Sequence, residues 1–95
     1  MKEYKVFFIR YKMEKGTDNW KFSFSKQCGY GSTSLEKAKQ VLNDDLNIIS
    51  KYYSDFDVTE YDDEVVVKGI SMNDEQVLMM YKIVELNVEK YIRGC

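Results

Sequence analysis

The chain contains no histidine and no proline among its 95 residues. Histidine is the commonest general base near neutral pH and the commonest metal ligand, so its absence disfavours most acid–base and metal-dependent catalysis. No apolar run approaches the roughly 18 residues of a membrane-spanning helix, and the N-terminus lacks a signal-peptide cleavage pattern. We therefore expect no cofactor, no metal, no membrane segment and a cytoplasmic location.

Cysteine is also scarce, with Cys28 and Cys95 as the two examples. One pair is far from a disulfide framework, so we expect free thiols. Lysine is plentiful, outnumbering arginine 12 to 2. One interpretation of so small, lysine-rich and histidine-free a chain is an accessory protein of a bacteriophage or other mobile element. Its compartment would then be the cytoplasm of the host cell.

Hydrophobic residues make up 44% of the chain and aromatic residues 15%, well above the disordered range. The length allows one domain, residues 1–95. Residues 4–13 carry apolar side chains on both faces of a predicted strand, which favours a central position in a sheet. After a polar loop, Trp20, Phe22 and Phe24 alternate with polar residues, so we expect a second strand with one aromatic face towards the core.

A helix is predicted after the Gly-rich loop at residues 28–32, since Thr33 and Glu36 form a capping box. A second hairpin follows, with strands at residues 55–61 and 65–72, and Gly69 predicts a bulge or a close backbone approach. Asn73, with acidic residues after it, predicts the start of a second helix that runs to about Ile92.

The predicted element order is ββαββα. The expected fold class is α+β, a four-stranded antiparallel sheet with two helices packed on one face. An alternative is that each ββα half pairs with its counterpart from a second chain.

The predicted second helix has apolar residues on two sides. One stripe would pack on the sheet, and Met79, Ile83 and Leu86 would lie on the opposite side at helical spacing. Scattered surface apolar residues are normal, but this line of three favours a self-association surface, most simply that of a homodimer.

Charge is segregated along the chain. Residues 1–27 contain seven basic and three acidic residues, a net +4; since the whole chain carries −2, the remainder carries −6. Six carboxylates crowd into ten residues: Asp55, Asp57, Glu60, Asp62, Asp63 and Glu64. They are interpreted as a solvated edge that resists aggregation, or as a surface for a basic partner, including the basic groove of a nucleic-acid-handling protein. A calcium loop would need a glycine that is absent here.

The basic first hairpin supports a second hypothesis, a nucleic-acid-binding module. Lysines interleaved with aromatic residues can contact phosphates and stack bases, and the candidate residues are Arg10, Lys12 and Lys21. The expected placement of the aromatic side chains in the core, together with the net charge of −2, weakens this hypothesis.

Two weaker signals concern catalysis and anion binding. Cys28 precedes a helix N-terminus, which lowers the pKa of a thiol, but no base for it is identifiable. Residues 29–34 resemble a backbone anion cradle, yet they match neither a P-loop nor a dinucleotide fingerprint. We therefore expect a protein that is not an enzyme. The sequence favours a non-enzymatic, inhibitor-type interaction protein, a homodimer whose acidic hairpin meets another protein with a basic surface.

Overall fold

The computed structural model describes residues 2–87. Its elements are β1 (Lys2–Met13), β2 (Trp20–Ser32), α1 (Leu35–Ile49), β3 (Ser54–Glu60), β4 (Glu64–Ile70) and β5 (Gln76–Asn87). The strands form one five-stranded sheet in the order β2-β1-β5-β4-β3, and every neighbouring pair is antiparallel. The α+β character is confirmed. The predicted four-stranded sheet with two helices is wrong, since the described residues form five strands and one helix.

The difference lies in the segment after residue 72, where the sequence pattern predicted a helix. Residues 76–87 form β5, which pairs with β1 on one side and β4 on the other. The segment is apolar at both odd and even positions, so it fits a strand covered on both faces as well as a helix. The part of the predicted helix beyond residue 87 lies outside the described residues.

The polar residues that predicted a helix start instead form the β4–β5 turn. Asp74 takes a positive φ of 60°. The Ser71 hydroxyl accepts from the backbone N–H groups of Asn73 and Glu75, and the Ser71 N–H donates to the Glu75 carbonyl. Asn and Asp favour both helix caps and turns for the same reason, since their side chains tolerate left-handed backbone and local hydrogen bonds.

The expectation that β1 is a central strand is confirmed, because β1 lies between β2 and β5. The predicted loop at residues 28–32 is wrong, since β2 continues through it to Ser32. The helix α1 begins one residue later than the capping box implied. Ser34 is the N-cap residue, and its side chain accepts from the Lys37 N–H at 3.3 Å.

The core lies between α1 and one face of the sheet, here called the helix face. Ala38 and Leu42 contribute from α1. The buried strand residues alternate in sequence and share this face: Val6, Phe8, Cys28, Val65, Val67, Val77, Met79, Tyr81 and Ile83. The predicted close approach at Gly69 is confirmed, because a Cβ there would lie 3.1 Å from the Tyr53 Cβ. The opposite face of the sheet, here called the open face, carries no helix within residues 2–87.

Candidate interaction surfaces

The acidic hairpin, defined as the six carboxylates between Asp55 and Glu64, occupies one edge of the sheet. β3 is an edge strand, and β4 separates it from β5. Five of the carboxylates are exposed, and Glu64 is half-buried. Within residues 2–87, the ion pairs are Lys2–Glu85 and Lys26–Asp45, so none involves this hairpin.

The turn of the acidic hairpin is held in place by backbone hydrogen bonds. The Tyr61 N–H donates to the Glu64 carbonyl at 2.7 Å, and the Ile83 N–H donates to the Asp63 carbonyl at 3.0 Å. A shallow cavity of about 200 Å³ separates this turn from α1, with Lys39 and Asn43 on its helix side. The carboxylates are therefore presented on an ordered turn, not on a free loop.

The three residues predicted for self-association are not brought together on one surface. Met79 and Ile83 lie in the core, with 0% and 9% of their surface exposed, and Leu86 is 37% exposed. In a strand, odd and even residues point to opposite faces. Leu86 therefore lies on the open face, away from Met79 and Ile83. The helical stripe that grouped the three residues is absent from β5.

The predicted basic residues do converge, on the helix face at the end farthest from the acidic turn. Lys12 and Lys21 are directly opposite each other in the β1–β2 register, and Arg10 precedes Lys12 on the same face. Arg10 is already engaged: its Nη1 donates to the Ser23 hydroxyl at 3.0 Å, and its guanidinium lies 5.9 Å from the centre of the Phe24 ring. Lys12 and Lys21 are the cations left for a ligand.

The expectation that Trp20, Phe22 and Phe24 share a core face is wrong. Their side chains are 38%, 56% and 45% exposed. The β1–β2 register shifts between Arg10 and Tyr11, so that Phe24 pairs with Arg10 while Phe22 pairs with Tyr11. This bulge places Phe22 and Phe24 on opposite faces of the sheet. The two-residue alternation of a regular strand does not predict such a bulge from the sequence.

Comparison of the chain with protein family models, with curated proteins and with solved structures finds no match. The case for a function therefore depends on the surfaces themselves. Among residues 2–87, no group of three or more potential metal ligands comes together, and no helix is long and apolar enough to cross a membrane.

Cys28, the candidate nucleophile, is buried with 5% of its surface exposed. Burial and, to a lesser extent, the nearby Asp45 carboxylate raise the pKa of its thiol to about 11, with Lys26 opposing them. The thiol is thus protonated and sheltered at neutral pH, the opposite of an activated nucleophile. The free thiol at Cys28 is confirmed; Cys95 lies outside the described residues.

A polar group that was not among the predicted site residues joins α1 to the sheet. The Tyr81 hydroxyl donates to the Asp45 carboxylate, and the Lys26 ammonium lies 3.7 Å from the other Asp45 oxygen. Lys26 also lies 5.6 Å from the centre of the Phe8 ring. Asp45 lies three residues after Leu42 and seven after Ala38, the buried residues of α1, so it borders the apolar stripe of the helix. A carboxylate at that position is the sequence signal that could have marked a polar contact with the sheet.

Proposed function

We propose that the chain is a non-enzymatic interaction protein whose acidic hairpin binds a basic surface on another protein. The observation that carries this proposal is the accumulation of six carboxylates at one edge of the sheet. None of these six forms an ion pair with another described residue. Asp57 stands opposite Lys68 and Glu64 opposite Lys82 in the strand register, whereas the other four carboxylates have no lysine opposite them. An excess of charge of one sign raises the association rate with an oppositely charged surface and selects against like-charged partners.

The edge position of β3 supports the same proposal. An edge strand presents backbone groups that no neighbouring strand pairs. A partner can therefore combine charge contacts to the hairpin with backbone contacts to β3, as in strand addition. The carboxylates limit indiscriminate pairing, because they repel a second acidic edge.

The test is retention of proteins from a lysate of the source organism on three immobilised chains. The first is the wild type. The second neutralises the turn with Asp62→Asn, Asp63→Asn and Glu64→Gln. The matched control neutralises three exposed acids of the loops at the opposite end of the sheet: Glu14→Gln, Asp18→Asn and Asp74→Asn.

We expect one protein to be retained by the wild type and the control but lost from the turn variant, and to elute at raised salt. Equal retention on all three chains, or no retained protein, contradicts the proposal.

A second candidate function is single-stranded nucleic-acid binding by the first hairpin. It is favoured by the exposure of Phe24, which shares the helix face with Lys12 and Lys21, while Trp20 and Phe22 are exposed on the open face of the same hairpin. Exposed aromatic side chains beside lysines are suited to base stacking and phosphate contacts. The chain has a single tryptophan, so Trp20 fluorescence reports binding directly. Quenching by a thymidine 20-mer at low salt, reduced in Lys21→Glu, supports this function; unchanged fluorescence removes it.

A further inference from the structure

The two edges of the sheet differ in length and in charge. β3 is seven residues long and carries three carboxylates, whereas β2, the other edge strand, is 13 residues long and contains neither Asp nor Glu. The charged residues of β2 are Lys21 and Lys26. Among residues 2–87, no strand pairs with the outer side of β2. Such an edge exposes unpaired backbone N–H and C=O groups, to which another extended segment adds.

A regular stretch of β2 lies between two irregularities. Residues 24–28 pair one by one with residues 10–6 of β1, and the register shifts at both ends of this run. Bulges limit the length over which an edge strand accepts a new neighbour, and lysines on an edge deter indiscriminate pairing. β2 therefore offers a short, straight template of five residues, with Lys21 beyond the bulge at one end.

Positive charge is concentrated beside this stretch, on the helix face. Four cations of the first hairpin lie there: Arg10, Lys12, Lys21 and Lys26. The one carboxylate of β1 and β2, that of Glu3, lies on the open face. Asp45 of α1 approaches Lys26 at 3.7 Å, yet half of the lysine side chain is exposed. The edge therefore favours an incoming segment that carries carboxylates on its helix-face side.

An exposed aromatic ring lies between the two lysines of β2. Phe24, Lys21 and Lys26 share the helix face, and Phe24 is 45% exposed. Residues opposite each other on adjacent strands contribute to stability when they pair opposite charges or two apolar side chains. The segment that matches this edge therefore presents an acidic, an apolar and an acidic side chain in succession on its helix-face side.

One flank of α1 borders the same edge. A Cβ at Gly29 would lie 3.4 Å from a Val41 methyl group. The Asp45 carboxylate reaches Lys26, so this side of the helix runs along β2. Ile48 follows on the same side of α1 and is 56% exposed. Because neighbouring strands lie only about 5 Å apart, a strand added to β2 places its own helix-face side chains beside this flank.

From these observations we propose that the outer edge of β2 binds an extended, acidic segment of another protein as a sixth strand. The segment carries carboxylates opposite Lys21 and Lys26 and an apolar side chain opposite Phe24. Its backbone pairs with residues 24–28. This site lies at the opposite edge of the sheet from the acidic hairpin, so it is independent of the function proposed for that hairpin.

The first test uses a labelled, end-blocked peptide, Thr-Glu-Thr-Val-Thr-Glu-Thr, whose sequence fits either strand direction. We expect saturable binding to the full chain by fluorescence polarisation, and no binding of the peptide that has Lys in place of both Glu residues. Lys21→Glu is expected to weaken binding about fivefold, because an attractive cross-strand pair becomes repulsive. The matched control Lys15→Glu changes the exposed β1–β2 loop and leaves binding nearly unchanged.

A second test separates strand addition from simple charge attraction. The same peptide, N-methylated at its three central residues, keeps its carboxylates but loses backbone N–H groups that pair with a neighbouring strand. We expect this peptide not to bind, and retained binding contradicts strand addition. Amide hydrogen exchange then locates the site, because N–H groups between residues 24 and 28 are expected to slow when the unmethylated peptide binds.

Absence of saturable peptide binding, or slowed exchange at β3 instead of β2, overturns the proposal. A thymidine 20-mer that binds while the peptide does not assigns Lys21 to nucleic acid and overturns it equally. A failure here leaves the lysate test of the acidic hairpin unaffected, because that test changes residues at the other edge.

Discussion

The Tyr81 hydroxyl donates a hydrogen bond to the Asp45 carboxylate, across the boundary between β5 and α1. Tyr81 is fully buried, whereas 22% of the Asp45 side chain is exposed. Burial and this hydrogen bond both raise the pKa of Tyr81 well above its ordinary value. The hydroxyl therefore depends on Asp45 for its acceptor, while Asp45 has water and Lys26 as further partners.

This asymmetry predicts that Asp45→Ala costs more stability than Tyr81→Phe. Loss of Asp45 leaves a buried hydroxyl unsatisfied, a penalty of about 1–3 kcal/mol. Loss of the hydroxyl leaves a carboxylate that water can reach, so we expect a smaller change in the free energy of unfolding, near 1 kcal/mol. Urea denaturation measures both. Asp44→Ala, at the exposed neighbouring position, is the control and changes stability little; equal costs for all three variants contradict the assignment.

The Tyr81–Asp45 contact was not predicted from the sequence, and neither was the strand β5 that carries Tyr81. β2 and α1 were predicted because their polar and apolar residues alternate with a clear period, and β1 was predicted as a strand although it is apolar on both faces. β5 was predicted as a helix, because its apolar run has no period that separates strand from helix and the polar residues before it resemble a helix start.

The second pairing partner of β1 is the feature that the sequence pattern did not identify. β1 is apolar on both faces and central, so it requires a neighbour on each side, and β2 supplies one. The remaining neighbour had to come from a distant segment, which local periodicity does not identify. The acidic hairpin was recognisable from sequence because charge density is a local property. The apolar residues of the open face were not recognisable as one surface, because they come together only once β1, β2, β4 and β5 are side by side.

Buried Cys28 predicts a loss of stability at alkaline pH. Its thiol has a pKa of about 11 in the folded chain against 9.0 as the ordinary value. Between these values the unfolded chain releases a proton that the folded chain keeps, so the free energy of unfolding falls as pH rises from about 9 to 11. Two pH units correspond to at most about 3 kcal/mol.

The measurement is urea denaturation at intervals between pH 8 and 11. We expect Cys28→Ala to flatten the decline relative to the wild type, whatever its effect on stability at pH 8. Cys95→Ser serves as the control for a cysteine outside the described residues and retains the wild-type slope. An unchanged slope in Cys28→Ala means that other groups, such as Tyr81, account for the decline.

Two glycines predict opposite tolerance to alanine. At Gly69 a new Cβ would lie 3.1 Å from the Tyr53 Cβ and 3.4 Å from the Ser54 carbonyl oxygen, atoms fixed close to the backbone. At Gly31 a new Cβ would meet the carboxyl end of Glu3, a flexible side chain that is free to rotate away.

We therefore expect Gly69→Ala to destabilise the fold by about 1–3 kcal/mol, as overpacking does. We expect Gly31→Ala to be nearly neutral, since its backbone is not left-handed. Thermal denaturation measures the stability of the two variants relative to the wild type. A neutral Gly69→Ala would show that Tyr53 moves freely.

Lys12 and Lys21 stand directly opposite each other across β1 and β2, so their ammonium groups repel. Like charges in this position are unfavourable and opposite charges favourable, by roughly 0.2–1 kcal/mol. We expect Lys12→Glu to raise the free energy of unfolding by roughly 0.2–1 kcal/mol at low ionic strength. The gain diminishes at high salt, where exposed pairs are screened.

Lys15→Glu is the matched control, because it changes the net charge equally from the exposed β1–β2 loop. If both variants gain equally, the benefit arises from the reduced positive charge of the first hairpin and not from the cross-strand pair. If Lys12→Glu is destabilising, the two lysines are held apart and the repulsion inferred from their register is negligible. In either case the difference between the two variants at low salt isolates the contribution of the Lys12–Lys21 pair.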